Sequence, residues 1–528
     1  MTGRRVAIVG GATIPFGVRA ATWAELAQEV GAALFRAVPA LRAEEVDSLF
    51  VGAAEPERFA FQSHVAPLAD EQMGLRPRNI LQRTELACAS GQSAIRSAYA
   101  AIAAGLSDVA VAVGVEKMNL PSMAEANTAM GCVMDRPWDG ASGASAPPFF
   151  AMVAQRHMLE YGTTEEQLAA VSEKNHRFAN SNPNAQFYEK SFPREKLLRL
   201  PIVAEQMGIR PTRILQRTEL ACASGQSAIR SAYAAIAAGL SDVAVAVGLE
   251  KMNLPSMAEA NSAMACVMDR AWDGPAGATA PPFFAMVAQR HMLEYGTTEE
   301  QLAAVSEKNH RFANSNPHAQ FHAKTFSRDR LLRLPLVSPP LRLGDCSSMT
   351  DGAAAVVLTS EELVRRFPDP PAWIRGTGQY SDFHNLANAG SLTEWPGLTH
   401  ASRAALNGAG IGVDDLDLAE LHDCFTISEI VEYEALGLCA PGAGGRFAAD
   451  GRSDLGGEIV VNPRGGLLGC GHPLGATGIA QAVEVFDQFA ARVPSARQVP
   501  DAEWALVHNL SGSANVHSVM VYQRGGAA

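Results

Sequence analysis

The chain has 528 residues, a formal net charge of -12 and 47% hydrophobic residues. That length supplies a large core and room for two or more packed domains. The acidic balance, with no Lys/Arg block, excludes an electrostatic nucleic-acid binder, and the apolar runs are too short to span a bilayer.

Eight cysteines are scattered without CxxC pairs or a CxxC matched to an HxxxH, so neither a zinc site nor a secreted disulfide framework is expected. The N-terminus enters a strand pattern directly and the C-terminus carries no receptor-read tripeptide, which predicts a cytoplasmic protein.

In chain order, Arg4–Ala12 (RRVAIVGGA) and Val46–Ala54 read as buried strands around an amphipathic helix at Thr22–Val38. A helix with an apolar face at Ala94, Ile95, Ala98, Tyr99 and Ile102 follows Cys88, with Gly105 suited to its C-terminal cap. Asp108–Val115 (DVAVAVGV) reads as a strand covered on both faces. From Glu116 to Pro201 the pattern is mixed, an excursion from the sheet.

Residues 70–203 are then written again as 204–337. Nineteen of the 134 aligned positions differ, and Ile80–Gly114 recurs unchanged as Ile214–Gly248. This reads as a tandem duplication inside a chain complete without it, since a solenoid needs several shorter repeats. Asp351–Ser360 returns to the sheet, and the second half repeats the strand–helix alternation to Gln523. The prediction is an α/β protein of two similar halves, 1–365 and 366–528.

Cys88 and Cys222 each precede a helix, where free N–H groups and the helix dipole are expected to lower the thiol pKa; a small cysteine at a tight turn is the plainer alternative. Gly469–Gly478 (GCGHPLGATG) is a glycine-rich loop with Gly471 and His472, a histidine able to act as base toward a thiol. His422 and Cys424 sit two apart at a strand end, predicted to face one side. His508–Asn515 (HNLSGSAN) is a small-residue turn able to offer N–H groups, Gly512 among them, to an oxyanion, or simply a hairpin.

These four motifs, in this order, resemble the thiolase family, most closely its sterol-carrier-protein-type branch. The segments His422–Cys439, Asn462–Gln481, Glu173–Phe187 and Asp345–Leu358 carry the likeness. The resemblance implies two βαβαβαββ halves in a five-layered α-β-α-β-α arrangement, with an inserted loop domain. It implies a homodimer or homotetramer acting on acyl-CoA and CoA, with no permanently bound cofactor. Activity would be thiolysis of a 3-oxoacyl-CoA or the reverse Claisen condensation. Cys88 or Cys222 would be the nucleophile, His472 its activator, Cys424 the acid/base at the α-carbon and His422 an enolate stabiliser. A thiolase-like aldolase with a small OB-fold partner, or an inactive relative, are the alternatives. One working site per chain is expected, with the first copy favoured because it emerges first and a hybrid of the two copies allowed.

Overall fold

The computed structural model describes residues 4–118, 129–133, 146–190, 217–250, 279–382 and 388–526, and single positions at 120, 252, 264 and 267. The first strands are β1 (Ser48–Gly52), β2 (Ile80–Glu85) and β3 (Ala110–Gly114), followed by β4 (Arg217–Glu219) and β5 (Val243–Glu250). A small ribbon, β6 (Leu336–Ser338) and β7 (Leu341–Arg342), precedes β8 (Gly352–Thr359). The second half holds β9 (Ala372–Ser381), β10 (Leu418–Glu420), β11 (Val460–Val461), β12 (Trp504–Ser511) and β13 (Val516–Arg524).

The second half forms one five-stranded sheet in the order β11-β10-β12-β13-β9. Its first three neighbours are parallel, and β13 runs antiparallel to both β12 and β9. Helix Pro396–Ala409 packs on β9 and β13. Gly376 and Gly378 of β9 permit this, since a Cβ at either would run into the backbone carbonyls of Ala405 or Ala401.

The first half follows the same order but is broken at its fourth strand. β2, β1 and β3 lie as β11, β10 and β12 do, all parallel, and β4 adds antiparallel to the edge of β2. The antiparallel strand for that fourth place, β8, instead pairs with β5 of the second copy, over Val243–Glu250 and Gly352–Thr359. Two identical candidates compete for one β8, and the second copy holds it. Arg4–Ala12 therefore forms no strand. The partner that β13 offers β9 is β8 here, while Arg4 lies against Ala103 and Asp108 of the first copy. Ile8 and Val9 are 83% and 87% exposed, which corrects the expectation of a buried first strand.

The expectation that Asp108–Val115 is covered on both faces also fails: Val111, Val113 and Val115 are buried while Ala112 and Gly114 are exposed, and the second copy is likewise covered on one face. Val243, Val245, Val247 and Leu249 of β5 are exposed, because only one face meets helix Leu474–Phe489.

Identical sequence takes different environments in the two copies. EEQLAAVSEKNHRFAN is a helix at both Glu165–Asn180 and Glu299–Asn314, each started by a threonine capping box. The first copy buries Ala169 alone. The second buries ten residues, Leu302, Val305 and Phe312 among them, against the second half. Each such apolar side chain contributes about 1.5–3 kcal/mol when fully buried. Likewise Ile95 is exposed where its counterpart Ile229 is buried. Local propensity makes the helix, and docking decides which face matters.

Candidate active site

The second copy's turn starts the site. Ala221 has φ 42, a left-handed value for a residue with a Cβ, and a 3-10 turn Ala221–Ala223 leads into helix Ser224–Ala237. The Ser224 hydroxyl accepts the Leu220 N–H at 2.8 Å and donates to the Ala221 carbonyl at 2.7 Å, which locks this turn. Residues held in such a conformation cluster where structure positions a reacting group.

Glycines let two helix starts meet. A Cβ at Gly225 would stand 2.8 Å from the Gly475 carbonyl and 3.0 Å from the Ile479 nitrogen. This close approach brings Cys222 to the loop before helix Leu474–Phe489, where His472 sits. The Cys222 sulfur and one ring nitrogen each of His422 and His472 lie within 4.8 Å of one another, all three side chains buried. The two imidazoles meet edge to face with centroids 4.8 Å apart.

His472 Nδ1 lies 2.7 Å from the Thr477 hydroxyl, which itself donates to the Pro473 carbonyl. Nδ1–H thus donates to Thr477, leaving Nε2 unprotonated, and Nε2 has no hydrogen-bond partner among the described residues. Neither nitrogen of His422 has one either. Gly471 precedes His472 at φ 87, and a Cβ there would meet the Gln320 side-chain oxygen at 2.6 Å. Gly512, at φ 58 in the hairpin between β12 and β13, directs its N–H at the Cys222 sulfur, as does the N–H of Cys222 itself.

Cys424 lies close enough to Cys222 for their charges to interact. It is reached through a tight turn, its N–H donating to the His422 carbonyl at 2.7 Å, rather than by alternation along β10.

Burial dominates the electrostatics. It pushes the Cys222 thiol up to about 12, with the Glu250 carboxylate adding to the rise. The expected lowering by the helix start is overturned, because desolvation outweighs the N–H groups. Burial drives His472 down to about 3 and His422 well below its ordinary value, with His472, His508 and His517 adding to the latter. Burial also raises Cys424 well above the ordinary thiol range. The resting site is therefore a thiol facing neutral imidazoles.

Cys88 sits in the same turn, with Ala87 at φ 44, but it is exposed and lies outside this group. The lean toward the first copy is corrected. The first copy supplies sheet strands and the second supplies the cysteine beside both histidines.

Sequence reasoning missed the supporting residues. The His64 ring nitrogen Nε2 lies 2.8 Å from the Ser511 hydroxyl, while Nδ1 lies 3.8 Å from Glu219, so it joins the Gly512 hairpin to the second copy. Asn309 donates to Asp423 at 2.8 Å and to Glu429 at 2.7 Å, and Asp423 accepts the N–H groups of Leu467 and Leu468. This buried network sets the loop that carries His472. His64 had no periodic signal, whereas Asn309 lay inside a motif already noted in its first copy.

The thiolase N-terminal domain model matches residues 6–196 and again 201–332, and the thiolase C-terminal domain-like model matches 378–524. An acetyl-CoA acetyltransferase of Methanothermobacter thermautotrophicus is 41% identical over 323 residues, 61% of this chain and 83% of that protein. Benzoylsuccinyl-CoA thiolase subunit BbsB of Thauera aromatica is 36% identical, covering 57% of this chain and 77% of that one. Bovine (Bos taurus) sterol carrier protein 2 is 35% identical over 58% of each chain. Among solved structures, the Ltp2-ChsH2(DUF35) aldolase is similar at a TM-score of 0.51 and 27% identity, covering 58% of this chain and 78% of that one. The two family models together span most of the sequence, and the chain belongs to the thiolase family of acyltransferases.

Proposed function

We propose that this chain transfers acyl groups between CoA thioesters and a carbon acid or CoA, through a thioester on Cys222. One observation carries the reading: Cys222, His422 and His472 converge in one buried group, with Cys424 adjacent. As the acyl carbonyl is attacked, the thiol proton passes to the bare Nε2 of His472 and the carbonyl oxygen becomes an oxyanion. The N–H groups of Cys222 and Gly512 are placed to receive that charge. The tetrahedral centre then collapses, expelling the first leaving group and leaving acyl-Cys222.

In the condensation direction Cys424, having given its thiol proton to the departing CoA sulfur, takes the α-proton of the second acyl-CoA as a thiolate, and His422 holds the enolate oxygen. The carbanion attacks acyl-Cys222 and the Cys222 sulfur leaves. Thiolysis runs the same steps in reverse, with CoA as the incoming thiol. CoA and acyl-CoA are substrates in this reading, and no resident cofactor enters.

The test is acetoacetyl-CoA thiolysis by wild type, Cys88→Ser and Cys222→Ser. Cys222→Ser is expected to lose roughly 1,000-fold or more in kcat, and Cys88→Ser to stay within about twofold of wild type. The opposite pattern would place the reaction in the first copy. Retro-aldol cleavage of a β-hydroxyacyl-CoA with a small OB-fold partner is the second reading, supported by the likeness to the Ltp2-ChsH2(DUF35) aldolase. It predicts cleavage that survives Cys222→Ser, because that chemistry needs no acyl holder.

A further inference from the structure

We propose that Cys222, His422 and His472 form a three-ligand site for a borderline divalent cation such as Zn²⁺, which blocks the thiol when bound. The inference stands on geometry alone and does not rest on the acyl-transfer reading. One sulfur and two imidazole nitrogens lie within 4.8 Å of one another, and all three side chains are buried. This ligand set suits Zn²⁺.

At Zn–S of about 2.3 Å and Zn–N of about 2.0–2.1 Å, tetrahedral ligands stand ~3.5 Å apart. Binding therefore requires these side chains to draw together from separations of up to 4.8 Å. Among the described residues nothing competes for the nitrogens: His472 Nε2 and both nitrogens of His422 lack hydrogen-bond partners there. Thr477 holds His472 Nδ1 from behind, the outer contact that orients a metal-binding imidazole. Glu219 and Glu250 act electrostatically on the Cys222 sulfur, so the local potential also favours a cation. On binding, the Cys222 sulfur forms its bond to the metal and releases its proton to solvent. Three protein ligands leave the fourth position open to water.

Co²⁺ is the probe, since a thiolate bound to tetrahedral Co²⁺ gives charge-transfer and visible d–d absorption. The full-length chain is expected to bind one Co²⁺ with both bands, and Zn²⁺ to displace it. Cys88→Ser should keep the bands, Cys222→Ser should lose the charge-transfer band, and His422→Gln and His472→Gln should each weaken binding at least roughly tenfold. Bands that persist in Cys222→Ser, vanish in Cys88→Ser, or never saturate would overturn the site.

A second measurement does not depend on the folding of those variants. In the Cys88→Ser protein, Zn²⁺ should slow alkylation of Cys222 by iodoacetamide at least roughly tenfold. Removing Cys88 is necessary because both copies yield the same tryptic peptide, TELACASGQSAIR. An unchanged alkylation rate at saturating Zn²⁺ would also overturn the proposal. Both readouts need no substrate, so an enzyme that fails to transfer acyl groups can still bind the metal.

Discussion

Burial sets the chemistry of each site residue more than local dipoles do. His472, held near 3, does not change charge between pH 5 and 8. The kcat/KM profile should therefore lack the acid limb near 6.5 that an ordinary histidine base gives. A limb at that pH would show a protonatable His472 and sink the neutral-pair description. The sequence singled out Cys222, His422, Cys424 and His472 as candidates, because they lie in motifs with unusual neighbours, and the structure groups Cys222 with His422 and His472. It did not show the sign of the thiol shift. Desolvation depends on what packs around Cys222, and Cys88 in the same local sequence remains exposed.

Among the elements, the helix after each cysteine gives a paired experiment. Gly91 and Gly225 occupy the same place in identical sequence. A Cβ on Gly91 meets nothing within 4 Å, while one on Gly225 collides with the backbone of helix Leu474–Phe489. Gly91→Ala should be neutral or stabilise by up to about 1 kcal/mol through helix propensity. Gly225→Ala should destabilise by about 1–3 kcal/mol and lower kcat by moving Cys222. Equal effects at both positions would contradict the docking described above. Hydrogen exchange supplies a second comparison, with amides of helix Glu165–Asn180 expected to exchange far faster than those of Glu299–Asn314. Helices were legible from periodicity, as at Thr22–Val38, observed as Trp23–Ala37. The failure of Arg4–Ala12 was not, since a strand needs an edge and β8 is held elsewhere.

Over the whole molecule, buried titratable groups oppose one another. His472 and His508 stay neutral in the fold down to about 3, so the unfolded chain binds more protons below about 6.5 and stability falls with acid. Asp70 is raised by burial to about 8, so the folded chain binds more protons between about 4 and 8 and stability falls as pH rises through that window. The two slopes cancel in part between about 4 and 6.5. Two histidines outweigh one carboxyl in that window, so a thermal melt series should peak near about 6.5, and Asp70→Asn should flatten its alkaline side. The two-half architecture was legible from the alternation of elements, but the division of labour between copies was not, because it follows from which copy holds β8. That division has a consequence for how the sequence can change. The first copy answers for the strands β2 and β3, and the second for the cysteine turn, β5 and the docked helices. Selection therefore sees different letters in two nearly identical texts. Cys88 and the polar residues of helix Glu165–Asn180 are expected to drift and their counterparts Cys222 and Asn309 to be held, which close relatives carrying the same duplication would check. Redundancy at the level of sequence has become specialisation at the level of structure, without one substitution at the cysteine itself.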